Sequence, residues 1–286
     1  MSTLLQEKMV IPDTPVISPA VPVPFYAPPS IEEPLLYGYR WRRTVRPDGT
    51  EVSTQVALTA KDFLNPQEGD VMPQSTLHET LTANLRDMLR LYFANRPDVT
   101  VFHDLIFRWG IPGLSNPAPD IAVVPNVRQP HKNRRAFRVK EEGTRPILVI
   151  EVVSPQYQRE DLVDKVAVYE RAGVQEYVIL EQRPQGGQTI DLITGYHLVN
   201  GRYQPLWLEA DGRLLLQTVG LYICLRDGAV ILEDAITGER LLNVEEAAAA
   251  RLEAEKRAEK EAQARAELEA QVAALQAEVA RLKGTS

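Results

Sequence analysis

Cysteine is nearly absent from these 286 residues: Cys224 stands alone, so no internal disulfide can staple the fold. With only four histidines beside it, a Cys/His zinc cluster is excluded as well. Such cysteine usage suits a reducing compartment, and the cytoplasm is the expected setting. No apolar run approaches the roughly 18 residues of a membrane span, and Glu7 and Lys8 interrupt the apolar start MSTLLQEKMV. Neither a transmembrane segment nor a secretory leader is expected. Positive charge is in deficit too, with 32 Lys and Arg against 39 Asp and Glu, a net −7. That excludes a protein that coats nucleic acid through its overall charge, so any such contact must come from a local patch.

What is present is enough for a core without staples: 44% of residues are hydrophobic and 25% charged, and the length allows one or two domains. Residues 1–35 read as an extended or disordered arm, because residues 11–34 hold eight prolines without helical or strand period. Residues 36–242 read as the folded domain. A hairpin opens it, with LYGYRWRRTV and TEVSTQVAL around Pro47-Asp48-Gly49. Leu77, Leu81, Leu85, Met88 and Leu89 recur at helical spacing over residues 76–95, after a possible Ser75 or Thr76 cap.

Strands are expected at residues 100–109, 120–124 and 147–153. A helix follows over 161–171, stopped by Gly173, and then a strand over 176–181. A helix between two strands of one sheet implies at least one parallel pair. Residues 189–242 carry turn signals at Gly195, Asn200-Gly201, Asp211-Gly212, Asp227-Gly228 and Thr237-Gly238, which predict antiparallel hairpins extending the sheet. Residues 243–286 form a tail with no Pro or Gly as far as Lys283. Leu268, Val272, Leu275, Val279 and Leu282 alternate spacings of four and three there, a short seam for a homodimer or another helical partner; a solvated single helix is the alternative.

Glu151 is the residue that composition does not explain. A carboxylate inside VIEVV costs several kcal/mol to bury alone, so it needs a partner, a metal or a place at the strand's wet end. Asp120, at the start of the preceding strand, is its natural companion, and two carboxylates with nearby carbonyls make an oxygen-rich site suited to Mg²⁺ or Mn²⁺. Lys165 lies four residues after Asp161, and Tyr169 four further, so the three share one helix face. That face either overlooks the carboxylates, giving the metal site an ammonium, or carries a plain ion pair in water. Spacing leaves both readings open.

These strings, PDIAVV (119–124), RPILVIEVVSP (145–155), D-x-x-x-K-x-x-x-Y (161–169) and GVQEYVILE (173–181), resemble the Uma-type putative restriction endonuclease family of the PD-(D/E)XK nuclease superfamily. LTAKDFL near residue 58 and the GYHLVNGRYQPL and TVGLYICL segments extend the resemblance over about residues 55–242. It implies an α/β fold of restriction-endonuclease-like type, a mixed sheet flanked by helices. It further implies Mg²⁺ or Mn²⁺ held by Asp120 and Glu151, with the Val152 carbonyl as a further ligand, and hydrolysis of phosphodiester bonds, with DNA as the expected substrate. The superfamily's usual lysine, two positions after the glutamate, is here Val153, and the resemblance assigns its role to Lys165. His78 matches a recurring family histidine.

Glu79 is a cleft candidate by position, Ser154 by its place after the strand, and Asp161 and Tyr169 by the shared helix face. Simpler roles for His78, Glu79 and Ser154 are helix capping or packing, a helix-dipole contact and turn chemistry. Between the carboxylate-bearing strands, Arg128, Lys132, Arg134, Arg135, Arg138 and Lys140 form a basic run placed to grip a phosphate backbone or to lie solvated. A different class of function is also compatible: a non-catalytic binding or assembly protein that keeps the fold and works through its tail.

Overall fold

The computed structural model describes residues 35–153, 159–185 and 188–283. The proline-rich arm, apart from Leu35, and Ser154 lie outside the described residues. The opening hairpin consists of β1 (Tyr39–Val45) and β2 (Glu51–Ala57), and in its turn the Asp48 carboxylate accepts a hydrogen bond from Thr50 N. Helix α1 (Ala60–Phe63), capped reciprocally by Thr59 and Asp62, leads to β3 (Asp70–Val71), which pairs with the root of β1.

Gly38 makes that junction possible. Its φ is +87°, and a Cβ there would sit 1.8 Å from the Val71 carbonyl oxygen. Gly38→Ala is therefore expected to cost at least about 2 kcal/mol, the left-handed penalty plus displacement of β3. A lower melting temperature and faster proteolysis within residues 41–51 check this; an unchanged digestion pattern contradicts it.

Helix α2 (Thr76–Tyr92) begins at Ser75, whose hydroxyl accepts from His78 N, and it buries Leu81, Leu85, Met88 and Leu89 as the periodicity requires. The strand expected over 100–109 is two strands, β4 (Val99–His103) and β5 (Ile106–Arg108). Asp104 lies between them with φ +49°, which ends the β4 ladder and turns the chain out of the sheet. Next come β6 (Ile121–Pro125), β7 (Ala136–Arg138), the short α3 (Val139–Glu142) and β8 (Leu148–Val153). A π-helical turn over Glu160–Asp164 runs into α4 (Lys165–Ala172), which stops at Gly173 in the left-handed conformation. The remaining elements are β9 (Glu176–Gln185), β10 (Gln188–Val199), β11 (Arg202–Leu206), β12 (Leu214–Leu216), β13 (Leu221–Arg226), β14 (Ala229–Asp234) and α5 (Val244–Lys283).

The fold is mixed α/β. Six strands form the central sheet in the order β11-β10-β9-β8-β6-β4. Its one parallel pair is β8 with β9, joined through α4 as the crossover. Only β10 and β11 extend this sheet; β12, β13 and β14 form a separate antiparallel sheet, so the expected single extension is corrected. Their Leu214, Leu216, Leu221, Ile223 and Leu232 pack with α2 onto one face of the central sheet. The other face carries α4 and the parallel pair β5 and β7, an aromatic layer that includes Phe107, Phe137, Tyr169 and Tyr177. β8 is buried along its whole length, which is why it reads as an almost unbroken apolar run.

Helix α5 is 40 residues long and, apart from the half-buried Glu246 and Ala247 in its first turn, exposed wherever its side chains are described, with Leu268, Val272, Leu275 and Val279 open to solvent. The side chain of Leu282, the last seam position, lies outside the described set. Cys224 is buried and free. Among the described residues no helix is long and apolar enough to cross a membrane.

Candidate active site

Strand register brings the two carboxylates together. β6 and β8 are antiparallel with Ile121 opposite Ile150, so one step further Asp120 stands opposite Glu151. Asp120 N donates to Glu151 Oε2 at 3.3 Å, and Val152 N donates to Asp120 Oδ2 at 2.7 Å. Alternation along β8 turns Glu151 toward the face that carries α4. There Tyr169 OH donates to Glu151 Oε1 at 2.6 Å, and the Lys165 ammonium lies 3.1 Å from the same oxygen and 2.7 Å from Asp161 Oδ1. The shared helix face thus looks inward: the Lys165 side chain is 5% exposed and that of Glu151 1%. The π-helical turn sets this geometry by placing Asp161 one turn before Lys165, with its backbone carbonyl held by Tyr177 OH at 2.9 Å.

His78 reaches the same point from α2, with Nε2 3.1 Å from Asp120 Oδ2. Its Nδ1 is buried without a partner among the described residues, so the neutral ring keeps its proton on Nε2 and donates to Asp120. The cleft, of about 560 Å³, is lined by His78, Asp120, Glu151, Val152, Asp161 and Lys165, and also by Phe63, Glu68, Asp70, Asp104 and Arg135. Phe63 lies under the ammonium, with Lys165 Nζ 4.8 Å from its ring centroid, and Tyr37 OH donates to Glu160 Oε1 at 2.7 Å. The segment around the opening hairpin therefore forms one wall.

The other candidates are dispersed. Glu79 is exposed in the first turn of α2 and does not line the cleft. Of the basic run only Arg135 does, where it pairs with Glu68 at 3.0 Å. The Arg134 side chain is 4% exposed, paired with Glu142 at 2.8 Å and seated over Phe102 and Phe137. Arg138 pairs with Glu141, Lys140 lies along Gly110, and Arg128 and Lys132 are exposed away from the cleft. Sequence reasoning missed Asp104. Its signal was the polar pair His103-Asp104 breaking an apolar run, where a left-handed turn carries Asp104 to the cleft rim.

The electrostatics are those of a site short of positive charge. Burial raises Glu151 well above the ordinary carboxylate range; Lys165 opposes this, while Asp120 and Asp161 add to it. Burial also raises Asp161, to about 6, against the pull of Lys165. Asp120 ends below its ordinary value, because the His78 hydrogen bond and the charges of His78 and Lys165 outweigh its burial. Burial would lower Lys165, but Asp161, Glu151 and Asp120 hold it firmly protonated. His78 is raised by its bond to Asp120 in spite of burial.

Among the described residues no group of three or more His, Cys, Asp or Glu side chains is arranged to hold an ion unaided. The donors still fit a hard cation. Three buried carboxylates, Asp120, Glu151 and Asp161, face one lysine and one histidine. Both contacts of Asp120 fall on Oδ2, so Oδ1 has no partner among the described residues. Mg²⁺ characteristically takes one or two carboxylates and keeps several waters, which suits Asp120, Glu151 and the Val152 carbonyl.

A test independent of catalysis follows from the signs. Glu151 and Asp161 are raised acids, so their charged forms penalise the fold increasingly as pH climbs from the ordinary carboxylate value through about 6 for Asp161. The raised His78 loses its stabilising charge at higher pH, from its ordinary value of 6.5 upward. Between about pH 5 and pH 8 the metal-free protein should therefore become less stable, and Mg²⁺ should raise its melting temperature more at the upper value. Thermal unfolding with EDTA or Mg²⁺ at the two pH values checks this; no Mg²⁺ effect at either contradicts it.

Residues 67–223, more than half of the 286, match the family model Uma2, described as "Putative restriction endonuclease". The chain belongs to the Uma2 family. The match spans every cleft residue from Glu68 through Lys165 and places the Uma2 chain in a nuclease family. No curated protein matches it. Among solved structures, one described as a putative nuclease belonging to DUF820 from Anabaena variabilis is similar at 16% identity and a TM-score of 0.38, over 54% of the Uma2 chain and 80% of that chain. That likeness is too slight to equate the folds, and the topology stands on the strand order above.

Proposed function

We propose that this Uma2 protein is a metal-dependent endonuclease that hydrolyses phosphodiester bonds in DNA, with Mg²⁺ or Mn²⁺ as its cofactor. The observation that carries the reading is the convergence of Asp120, Glu151 and the buried Lys165 ammonium on one cleft. Burying a lysine among three acids costs several kcal/mol of desolvation, a poor investment for stability alone. A protein that used the fold only as a scaffold would do better with apolar residues at these positions. The exposed apolar seam of α5 suits pairing with a second copy, which would present two sites to a duplex.

Asp120, Glu151 and the Val152 carbonyl would hold the divalent cation, which when bound would lower the pKa of a bound water and offset phosphate charge. The chain's own residues do the rest. Asp120 is held in one rotamer by Val152 N and His78 Nε2, and Glu151 by Tyr169 OH and Asp120 N. Lys165 supplies a fixed positive charge on the cleft side, where it stabilises charge developing on the phosphate without reorganising. His78 and Tyr169 act as positioning residues.

The test is cleavage of plasmid and single-stranded DNA, in Mg²⁺ and in EDTA, by the wild type and by Asp120 and Glu151 variants. Metal-dependent cleavage lost in the variants supports the reading, and equal cleavage by all of them overturns it.

A further inference from the structure

Residues 39–46, YRWRRTVR, hold four arginines and no acid in a chain of net charge −7. They form β1 and the start of the turn into β2. Arg40 is engaged by Asp70 at 2.5 Å and Asp62 at 3.6 Å. Arg42, Arg43 and Arg46 have no ion pair among the described residues, and every residue from 41 to 51 is exposed. Trp41, 53% exposed, is steadied among the described residues at one edge, where Tyr39 meets it at 5.9 Å in a T-shaped contact. The two acids of the ribbon do not offset this: Asp48 is turned back to Thr50 N within the turn, and Glu51 stands opposite Val45.

Folding does not account for these residues. Three like charges on a two-stranded ribbon repel, and an exposed tryptophan loses the burial that makes its surface useful. They are, however, the residue types that bind nucleic acid: guanidinium forks match phosphate oxygens, and an indole stacks on a base or packs on a sugar.

The mounting of the ribbon indicates where such a ligand would lie. β1 pairs through Tyr39 and Arg40 with Val71 and Asp70, and both of those line the cleft that holds Asp120 and Glu151. The ribbon is thus rooted in the cleft wall. At about 3.4 Å per residue its arginines stand about 10–24 Å along the strand from that root. This is about three to seven base pairs of duplex.

Resting on the nuclease reading above, we infer that the β1–β2 ribbon is a clamp for the duplex that flanks the cleft, with Arg42, Arg43 and Arg46 on backbone phosphates and Trp41 against a sugar or base. In a chain of net charge −7 overall charge does not hold nucleic acid, so productive binding requires ribbon and cleft together.

The experiment measures binding of the full chain to a fluorescein-labelled DNA duplex of about 30 base pairs by anisotropy in EDTA, across a salt series. Replacing Arg42, Arg43 and Arg46 together by alanine should weaken binding at least about tenfold and flatten the slope of log K against log salt by about 2–3, the release from three phosphates. The corresponding triple lysine variant should keep the slope, whereas Trp41→Ala should lower affinity without changing it. All three sets lie on exposed positions, and melting temperatures matching the wild type confirm that the fold is intact.

Wild-type affinity and slope in the triple alanine variant would overturn the clamp and leave the nuclease reading standing. A wild type that binds no duplex would overturn the clamp, whereas the nuclease reading stands or falls on the cleavage assay above. If the alanine variant binds DNA normally but loses an acidic protein partner that the wild type retains, the ribbon is a protein-docking arm and the clamp is overturned.

Discussion

Replacing Lys165 by alanine is expected to destabilise the protein by about 3–5 kcal/mol at neutral pH, the cost of leaving buried carboxylates without their cation. Its ammonium is the shared partner of Glu151 and Asp161, 3.1 and 2.7 Å away, and no other lysine or arginine makes an ion pair with either acid among the described residues. In a domain of this size the loss corresponds to a fall in melting temperature of about 6–20 °C. The cost should shrink toward about pH 5, because Glu151 and Asp161 are raised acids that take up protons once the lysine has gone. Lys165→Met, which keeps most of the side-chain volume, separates charge from packing and should behave like the alanine variant. Thermal unfolding of both variants at the two pH values checks this; a loss that does not depend on pH would locate the effect in packing instead.

The second large effect runs the other way for stability. Glu151→Gln removes a charge that burial penalises and keeps the shape, so the variant should fold at least as well as the wild type at neutral pH and above. Lys165 retains Asp161, and Tyr169 OH retains an acceptor oxygen. Activity should nevertheless fall by at least about 10³-fold, since a neutral amide binds a divalent cation far more weakly than a carboxylate and so loses the positive charge the cation would bring to the phosphate. Titration calorimetry with Mn²⁺ should show the wild-type heat lost in Glu151→Gln and in Asp120→Asn. A stable variant with unchanged Mn²⁺ binding would remove Glu151 from the metal site.

Much of this site is legible in the sequence because buried charge is conspicuous. A carboxylate inside VIEVV demands a partner, and Pro119-Asp120 before an apolar strand supplies one. The i,i+4 and i,i+8 relation of Asp161, Lys165 and Tyr169 fixed a common face, though only the π-helical turn and the crossover show that it looks inward. What stayed hidden depends on distant packing. Arg134 reads as part of a solvated basic run, but Glu142 and two phenylalanine rings hold its side chain inward. Asp104 reaches the rim because a non-glycine residue adopts a left-handed conformation there, which strand propensity over 100–109 argued against. Phe63, Glu68 and Asp70 form a wall only because β3 docks on β1, a two-residue pairing with no period to read. The separation of β12–β14 from the central sheet was likewise invisible, because turn signals mark hairpins without saying which sheet they join.

The central claim is that Asp120 and Glu151 form the metal-dependent centre of a nuclease, and its most direct test is plasmid cleavage in Mg²⁺ by the wild type, Asp120→Asn and Glu151→Gln at matched purity and matched folded fraction. The account predicts cleavage by the wild type alone, abolished by EDTA. Cleavage at equal rates by all three proteins, or none by a wild type that binds Mn²⁺ and duplex, would contradict it.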